Sequence, residues 1–287
     1  MKLLIAPLAL VCCLALASPA PVAGASVQPE LRAMTFNLRY GSDTGPHAWP
    51  LRLPVCVEQI RVEQPAVIGT QEGLWRQVRD LEAALPEFAW VGLGREGGSH
   101  GEFMAIFYER ERFELLEFDH FWLSDTPDRI GSTSWGNSNR RMVTWARLGE
   151  RAGGAQFVVY NTHFDHQVAV ARRKSAELVL AHVREHFPEL PVLLLGDFNA
   201  LEDSPPHAHL VREDAFRDAW LEAAERGPAI STFHGYRGPQ EGQRRIDWVL
   251  VRGGWEVRRA WVATHERGGR YPSDHFPVLA DLRLEAD

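Results

Sequence analysis

Apolar segments of strand length alternate with a few segments of helical periodicity along the whole chain. Residues 31–38 alternate, with Met34 and Phe36 on one face, while residues 192–195 are fully apolar. Alternation with period two is typical of a half-buried strand, and a short continuous apolar run is typical of a central strand. Many strands with few helices between them predict layered sheets flanked by helices.

The same reading gives approximate bounds for these elements. Strands are predicted at residues 31–38, 66–70, 103–108, 113–123, 142–148, 156–162, 192–195, 245–251, 257–263 and 276–282, and helices at residues 51–62, 75–85 and 168–186. Glycine- and serine-rich stretches near residues 92–101 and 131–138 are predicted to be surface loops.

The N-terminal 25 residues are predicted to be a secretory signal peptide. Lys2 precedes an apolar run over residues 3–17, and the small residues at positions 23–25 offer a cleavage point before Ser26. This layout is typical of export, and the run is too short to span a bilayer comfortably. We therefore expect a periplasmic or extracellular protein with no stable membrane insertion. Residues 26–287 are expected to form a single domain, and the protein is expected to be a monomer.

The chain is long enough to bury a core without disulfides, and it is acidic. It has 287 residues and a formal net charge of −7. Cleavage before Ser26 would leave Cys56 as the sole cysteine, which excludes a disulfide scaffold. Proteins that coat nucleic acid nonspecifically usually carry a basic surplus. The charge therefore argues against a long polyanion track but leaves open a nuclease with a local basic groove.

Polar residues recur where the predicted strands stop, next to strongly apolar neighbours. They are Asn37, Glu72, His163, Asp197, Asn199, Asp247, Asp274 and His275. A carboxylate close to a core is costly unless it is paired, hydrogen-bonded or bound to metal. Each residue alone has a common structural explanation, such as a turn or a helix cap, but their joint occurrence indicates a site.

These residue types fit one kind of chemistry. Mg²⁺ prefers oxygen ligands, which Glu72, Asp274 and the amide oxygen of Asn37 could supply. Histidines and carboxylates at strand ends can supply acid–base groups and phosphate contacts. Zinc-type cysteine spacing and a P-loop are absent from the sequence. Residues 97–101 match Gly-x-Ser-x-Gly, but they lie in a predicted surface loop and not at the strand-to-helix turn of a nucleophile elbow. Serine acyl transfer and ATP-driven functions therefore lose support.

The order of these motifs resembles the metal-dependent endonuclease/exonuclease/phosphatase superfamily, of which deoxyribonuclease I is a member. The matching pieces are Thr35-Phe36-Asn37, Gln71-Glu72-Gly73, Asn161-Thr162-His163, Gly196-Asp197-Phe198-Asn199, Arg245-Ile246-Asp247-Trp248 and Ser273-Asp274-His275. Within the superfamily, the chain looks most like exported bacterial members related to the deadenylase-type branch.

The resemblance implies a fold and a set of roles. The fold would be a four-layered α/β sandwich, with two packed, mainly antiparallel sheets flanked by helices. Glu72, Asn37 and Asp274 would form the Mg²⁺ site, with Mn²⁺ as an alternative metal. In the catalytic set, Asp197 would be the base for water and Asn199 would hold the phosphate or that water. His163 would contact the phosphate or assist the leaving group, and His275 would contact the scissile phosphate, with Asp247 orienting its ring.

Three further residues are weaker candidates for substrate binding. Arg141 could reach a phosphate or form a structural ion pair, and Asp165 and His166 could line the site or belong to a solvated loop. The substrate is expected to depend on loops near residues 40–50, 92–101, 125–140 and 232–243.

The leading prediction is an exported Mg²⁺-dependent hydrolase of phosphomonoesters or phosphodiesters, with a small or lipid-like substrate slightly favoured. A nuclease acting on RNA or DNA is the close alternative. An inactive binding module would be expected to lack a metal carboxylate or the final Asp-His pair, and a sphingomyelinase-like toxin would need an exposed apolar hairpin. Neither sign is found in the sequence.

Overall fold

The computed structural model describes residues 30–242 and 244–285. The predicted signal peptide at residues 1–25 lies outside the described residues, so export remains a prediction. The helices are α1 (Trp49–Glu63), α2 (Trp75–Ala84), α3 (Ala169–His186), α4 (Pro205–Leu210) and α5 (Ala219–Glu222), and a 3-10 turn covers Gly45–His47.

Fifteen strands accompany these helices in the described part of the chain. They are β1 (Leu31–Asn37), β2 (Val67–Gln71), β3 (Gly73–Leu74), β4 (Phe88–Val91), β5 (Glu102–Phe103), β6 (Ile106–Glu109), β7 (Phe113–Trp122), β8 (Met142–Glu150), β9 (Gln156–His163), β10 (Val192–Asp197), β11 (Arg217–Asp218), β12 (Glu225–Arg226), β13 (Asp247–Arg252), β14 (Trp255–Val262) and β15 (Val278–Leu284).

The strands form two large sheets and one small ribbon. The first sheet has the order β12-β14-β15-β1-β2-β6-β4, the second has the order β11-β13-β10-β9-β8-β7, and β3 pairs with β5. Most neighbours are antiparallel, but β1 with β2, β9 with β10 and β12 with β14 are parallel. The predicted site residues Asn37, Glu72, His163 and Asp197 lie at the carboxyl ends of the two central pairs, β1 with β2 and β9 with β10.

Side-chain packing defines four layers. The core between the two sheets includes Ala33 and Ile106 from the first sheet and Val159 and Leu193 from the second. The outer face of the first sheet packs against α1 and α2, and the outer face of the second packs against α3 and α4. Burial of both faces of each sheet removes apolar surface from water. This burial stabilises the fold by about 25 cal/mol for each Å² of apolar surface. The predicted sandwich of two mainly antiparallel sheets between helices is confirmed.

Alternation in β1 follows from this layering. Met34 and Phe36 pack under the helices, whereas Ala33 faces the inter-sheet core. The central strand β10 is buried along its whole length, as expected for a continuous apolar run.

The prediction of one strand over residues 103–108 is wrong. The segment divides into β5, which pairs with β3, and β6, which joins the first sheet. At the break, the carbonyl of Ala105 accepts from the backbone N–H of Thr70 and from Nδ2 of Asn161, at 2.8 and 2.9 Å. The sequence reading also missed β4, the short helices α4 and α5, and the two-residue strands, because such short segments carry little periodicity.

Cys56 is a buried free thiol on α1. Burial raises its pKa to about 12, so the thiolate needed for nucleophilic chemistry is strongly disfavoured. Among the described residues, no helix combines the length and apolar character required to cross a membrane.

Candidate active site

Three adjacent strands of the second sheet form one half of the site, through the carboxyl ends of β9 and β10 and the amino end of the antiparallel β13. Asp197 at the end of β10 is in register with His163 of β9 on one side and with Asp247 of β13 on the other. All three side chains are buried. Because strand register fixes these neighbours, the backbone itself brings the base candidate and its partners together.

The other half comes from the parallel pair β1 and β2 in the first sheet. Asn37 ends β1 in register with Gln71, and Glu72 follows immediately in a left-handed conformation with φ of 61°. A non-glycine residue held at positive φ is a form of strain that tends to occur at functional sites. The backbone N–H of Tyr40 donates to Oε2 of Glu72 at 2.8 Å, which fixes the carboxylate.

Asn37 links the two halves. Its Nδ2 donates to Oε1 of Glu72 at 3.0 Å and to Oδ2 of Asp197 at 2.9 Å. Its Oδ1 accepts from the backbone N–H of Arg39 at 2.9 Å. In this arrangement the amide positions two carboxylates, and its oxygen is engaged by Arg39, so a direct ligand role for Asn37 would require the amide to turn.

The buried side-chain amides of Gln71 and Asn161 connect the two sheets below the site. Nε2 of Gln71 donates to Oδ1 of Asn161 at 2.7 Å, and Nδ2 of Asn161 donates to the carbonyl of Thr70 at 2.8 Å. Buried polar groups need such partners, since an unpaired one costs about 1–3 kcal/mol. Gln71 and Asn161 therefore support the site without lining it.

His275 lies over Asp197 and is held by Asp247. Its Nδ1 is 3.0 Å from Oδ2 of Asp247, and its Nε2 is 3.8 Å from Oδ2 of Asp197. Burial opposes the charged ring, but the charges of Asp247 and Asp197 and the hydrogen bond to Asp247 raise the pKa of His275 to about 10. The ring is therefore a cation at neutral pH.

Asp197 has a carboxylate suited to accepting a proton. Burial, followed by the charge of Asp247, raises its pKa to about 7. The backbone N–H of Asn199 donates to its Oδ1 at 2.9 Å, which fixes its orientation. A base whose pKa lies near the working pH is the most effective in general base catalysis.

His163 and Asn199 close one side of the cavity. Nδ2 of Asn199 lies 3.0 Å from Nε2 of His163 and donates to the carbonyl of Phe164 at 3.0 Å. Nε2 of His163 is also 3.4 Å from Oδ2 of Asp197. Burial, and then the charge of Arg141, holds the pKa of His163 well below its ordinary value, so this ring is neutral.

The acidic residues include donor sets that could hold a metal ion. Ligand atoms of Glu72, His163 and Asp197 lie within 4.8 Å of one another, as do those of Asp197, Asp247 and His275. Asp274 faces the same cavity, and burial raises the pKa of its carboxyl. The guanidinium of Arg39 lies 3.6 Å from the carboxylate of Asp274. Carboxylate oxygens concentrated in this way fit a hard divalent cation.

Arg141 is a buried guanidinium with unused donors. Its side chain is 4% exposed, its Nη2 lies 3.1 Å from Nδ1 of His166, and its Nε is 3.8 Å from Asp165. Among the described residues, its Nε and Nη1 have no hydrogen-bond partner. Buried donors without a hydrogen bond are costly, and a phosphate oxygen would satisfy them.

The three weaker candidates occupy different places. Arg141 and His166 line the cavity, whereas Asp165 lies behind it. Oδ1 of Asp165 accepts from the backbone N–H groups of Gln167 and Val168 at 2.9 and 2.7 Å, just before α3. That is the behaviour of a residue that organises a helix start. Asn37 and Asp247 are likewise buried behind the cavity wall.

The whole arrangement surrounds a cavity of about 430 Å³, which we call the catalytic cavity. Sequence reasoning missed some of its wall, namely Arg39, Arg95, Glu102, Asn139, Phe233 and Ile246. Three of these, Arg95, Asn139 and Phe233, belong to loops that the sequence marked as substrate determinants. Glu102 is buried, pairs with Arg95 at 2.7 Å and lies 3.9 Å from Nδ1 of His163. No sequence signal distinguishes Glu102 from an ordinary loop acid.

The sequence model of the Endonuclease/Exonuclease/phosphatase family matches residues 34–275, a span that contains every predicted site residue. The chain belongs to this family. A crystal structure of an endonuclease/exonuclease/phosphatase from Bacteroides vulgatus superposes with a TM-score of 0.84 at 34% identity, covering 90% of this chain and all of that one.

Two further relatives broaden the comparison. A mannosyl-6-phosphatase from Bacteroides thetaiotaomicron superposes with a TM-score of 0.83 at 31% identity, covering 88% of this chain and 100% of that one. Nocturnin from Drosophila melanogaster is 25% identical over 95% of this chain, which spans about half (50%) of Nocturnin's length. The predicted superfamily is confirmed, and so, at the level of the family, is the prediction of an enzyme that hydrolyses phosphoester bonds.

Proposed function

We propose that this endonuclease/exonuclease/phosphatase family member is an exported Mg²⁺-dependent hydrolase of small phosphoesters. One observation carries the proposal. The catalytic cavity combines the carboxylates of Glu72, Asp197 and Asp274 with Arg141, whose Nε and Nη1 have no hydrogen-bond partner among the described residues. Carboxylates suit a metal ion, and unpaired guanidinium donors suit a phosphate, so one cavity offers complementary groups for both.

Glu72 and Asp274 are the proposed metal ligands, with Asn37 supporting Glu72. A divalent cation bound there would supply Lewis-acid stabilisation of the phosphoryl oxygens and lower the pKa of a bound water. Mg²⁺ is preferred to softer metals because these donors are oxygen atoms, and Mn²⁺ is the expected substitute.

The proposed proton acceptor is Asp197. Its carboxylate is held by Asn37 and by the backbone N–H of Asn199, both at 2.9 Å, so it cannot rotate freely away from the cavity. With a pKa of about 7 it can take a proton from an attacking water near neutral pH.

Positive groups on the cavity wall would stabilise charge as it builds on the phosphate. The His275 ring is protonated at neutral pH, and Arg39, Arg95 and Arg141 line the same cavity. Preorganised cations in a buried site are worth more than in water, because the local dielectric constant is low. The neutral His163 beside Asn199 is placed to contact the phosphate or the leaving oxygen.

The substrate class is proposed from size and charge. A cavity of about 430 Å³ is at the small end of ligand pockets, and the chain as a whole is acidic. Both features favour a small phosphoester over a long polyanion. The similarity to a mannosyl-6-phosphatase supports a phosphomonoester as the first class of substrate to test.

A substrate panel tests the proposal. The protein spanning residues 26–287 would be assayed on mannose 6-phosphate, inositol phosphates, bis-p-nitrophenyl phosphate, sphingomyelin, single-stranded RNA and duplex DNA, with Mg²⁺, Mn²⁺ or EDTA. Asp197→Asn is the inactive control. We expect metal-dependent release of phosphate from small esters and little cleavage of nucleic acid. Preferential cleavage of RNA or DNA would establish the nuclease alternative, and no hydrolysis at all would favour an inactive binding module.

Export is a separate part of the proposal. It is supported by the signal-peptide layout of residues 1–25. Expression of the full chain in a Gram-negative host, followed by fractionation and N-terminal sequencing, should give an exported product that begins at Ser26. An intact N-terminus in the cytoplasmic fraction would contradict it.

A further inference from the structure

A second, larger cavity opens beside the catalytic cavity. Its volume is about 630 Å³, and it shares the wall residues Asn199, Phe233 and Ile246 with the catalytic cavity. We call it the side cavity. The ring of Phe233 is 46% exposed and its centroid lies 5.1 Å from that of His275. A group attached to a phosphate at His275 would therefore reach the side cavity directly.

Most of the floor of the side cavity is apolar. It is built by Val170 at the start of α3, by Leu201 between β10 and α4, and by Pro205 and Pro206 at the start of α4. Val170 is 51% exposed on this surface. Proline and valine side chains cannot hydrogen-bond, so this part of the lining favours an apolar group.

The rim of the side cavity is cationic. Arg172, Arg173 and Arg244 line it, and Asp203 is its single acid. Arg172 donates to the carbonyl of Asp165 at 2.8 Å, and Arg173 pairs with Glu177. Among the described residues, the side chain of Arg244 has neither an ion pair nor a hydrogen bond. The surplus of positive charge favours a negative group on the occupant.

We propose that the side cavity binds the leaving group of the substrate, an alcohol with an apolar body and a second negative charge. This inference rests on the proposed function, because the leaving group is placed by the phosphate in the catalytic cavity. The apolar body, aromatic or hydrocarbon, lies against Val170 and Leu201, and its negative charge faces Arg244. Binding energy gained there would be added to that of the phosphate without changing the reacting groups.

The test compares phosphomonoesters that differ only in the leaving group. The probes are mannose 6-phosphate, octyl phosphate, 2-naphthyl phosphate and a 2-naphthyl phosphate that carries a ring carboxylate. We expect the carboxylated naphthyl ester to have a lower KM than mannose 6-phosphate. The comparison of octyl with naphthyl phosphate shows which apolar body fits better.

Two variants make the test specific. Val170→Asp adds a negative charge to the floor at an exposed first-turn position that tolerates acids, so the fold should be kept. It should raise the KM of the apolar esters about fivefold, the effect of losing about 40 Å² of apolar contact. Arg244→Gln should raise the KM of the carboxylated ester alone. Val62→Asp on α1 and Arg76→Gln on α2 are the matched surface controls.

Each variant is compared with the parent on the same substrate, so differences in leaving-group reactivity cancel. The inference is overturned if the parent shows no lower KM for the carboxylated ester than for mannose 6-phosphate. It is also overturned if Val170→Asp changes the KM of mannose 6-phosphate as much as that of the apolar esters. If the parent with Mg²⁺ hydrolyses none of the probes, the proposed function itself is rejected. This result differs from those that reject only the role of the side cavity, so the two outcomes can be told apart.

Discussion

Nδ1 of His275 lies 3.0 Å from Oδ2 of Asp247, with both side chains buried at the base of the catalytic cavity. This contact fixes the plane of the ring and leaves Nε2 pointing toward Asp197. It also stabilises the protonated ring at a position where burial alone would favour the neutral ring. The carboxylate of Asp247 therefore sets the orientation of the histidine and, together with that of Asp197, favours its charged form.

Replacing Asp247 by Asn should move the alkaline limb of the pH profile to lower pH. Asp247 favours the protonated ring and helps to raise the pKa of His275 to about 10, so its removal lets that pKa fall toward its ordinary value. Activity that needs the charged ring is then lost at lower pH than in the parent. The measurement is kcat/KM between about pH 6 and 10. An unchanged alkaline limb would show that protonated His275 is not required.

Replacing Arg141 by Gln should weaken substrate binding. Charge-assisted hydrogen bonds are worth about 1.5–3 kcal/mol, so KM should rise roughly 10- to 100-fold. Arg141→Lys should recover part of the loss, because it restores the charge but not the planar donor pair. If KM is unchanged in Arg141→Gln while thermal stability falls, Arg141 serves as a structural ion pair with Asp165 instead.

Substitution of Glu72 by Gln should first affect the metal requirement. The change removes one negative charge from the proposed ligand set and keeps the shape of the side chain. We expect the Mg²⁺ concentration for half-maximal activity to rise about tenfold or more. The exposed Glu185→Gln on α3 is the control. A metal titration identical to that of the parent would remove Glu72 from the metal site.

His182 should make stability depend on pH. Its Nδ1 is 2.8 Å from the hydroxyl of Tyr160, and burial, then the charge of His186, lowers its pKa to about 4. Between about pH 6.5 and 4 the unfolded chain binds a proton at this residue that the folded chain does not, so stability falls as pH falls. The half-exposed ring is partly screened, so we expect about 1 kcal/mol over this window.

The check is a series of urea denaturation curves at pH 7, 6 and 5 for the parent and for His182→Gln. The variant should lose less stability on acidification than the parent. His100→Gln, at an exposed position, should behave like the parent. Equal pH slopes in all three proteins would show that His182 titrates normally in the folded state.

Much of the architecture follows from local pattern. The alternation around Met34 and Phe36 and the apolar run of β10 indicate which strand faces are buried. The order of the six motifs identifies the family. The site could be anticipated because its residues sit at strand ends, where register brings Asp197 beside His163 and Asp247.

What could not be anticipated depends on contacts distant in sequence. The break at Met104 and Ala105 is imposed by partners on β2 and β9, namely Thr70 and Asn161. The engagement of the Asn37 oxygen by Arg39 and the pairing of Glu102 with Arg95 arise from loop geometry. No periodicity encodes such contacts, because irregular backbone has no repeating relation between sequence and direction.

The bridge that Asn37 makes between Glu72 and Asp197 spans two separately hydrogen-bonded sheets. Each sheet could keep its own ladder of backbone bonds while sliding slightly against the other, and spectra that report secondary structure would hardly change. The active centre would not survive, since hydrogen bonds weaken steeply beyond their short range. Catalytic turnover should therefore fall when the two sheets shift slightly against each other, even where measurements of strand content show no change.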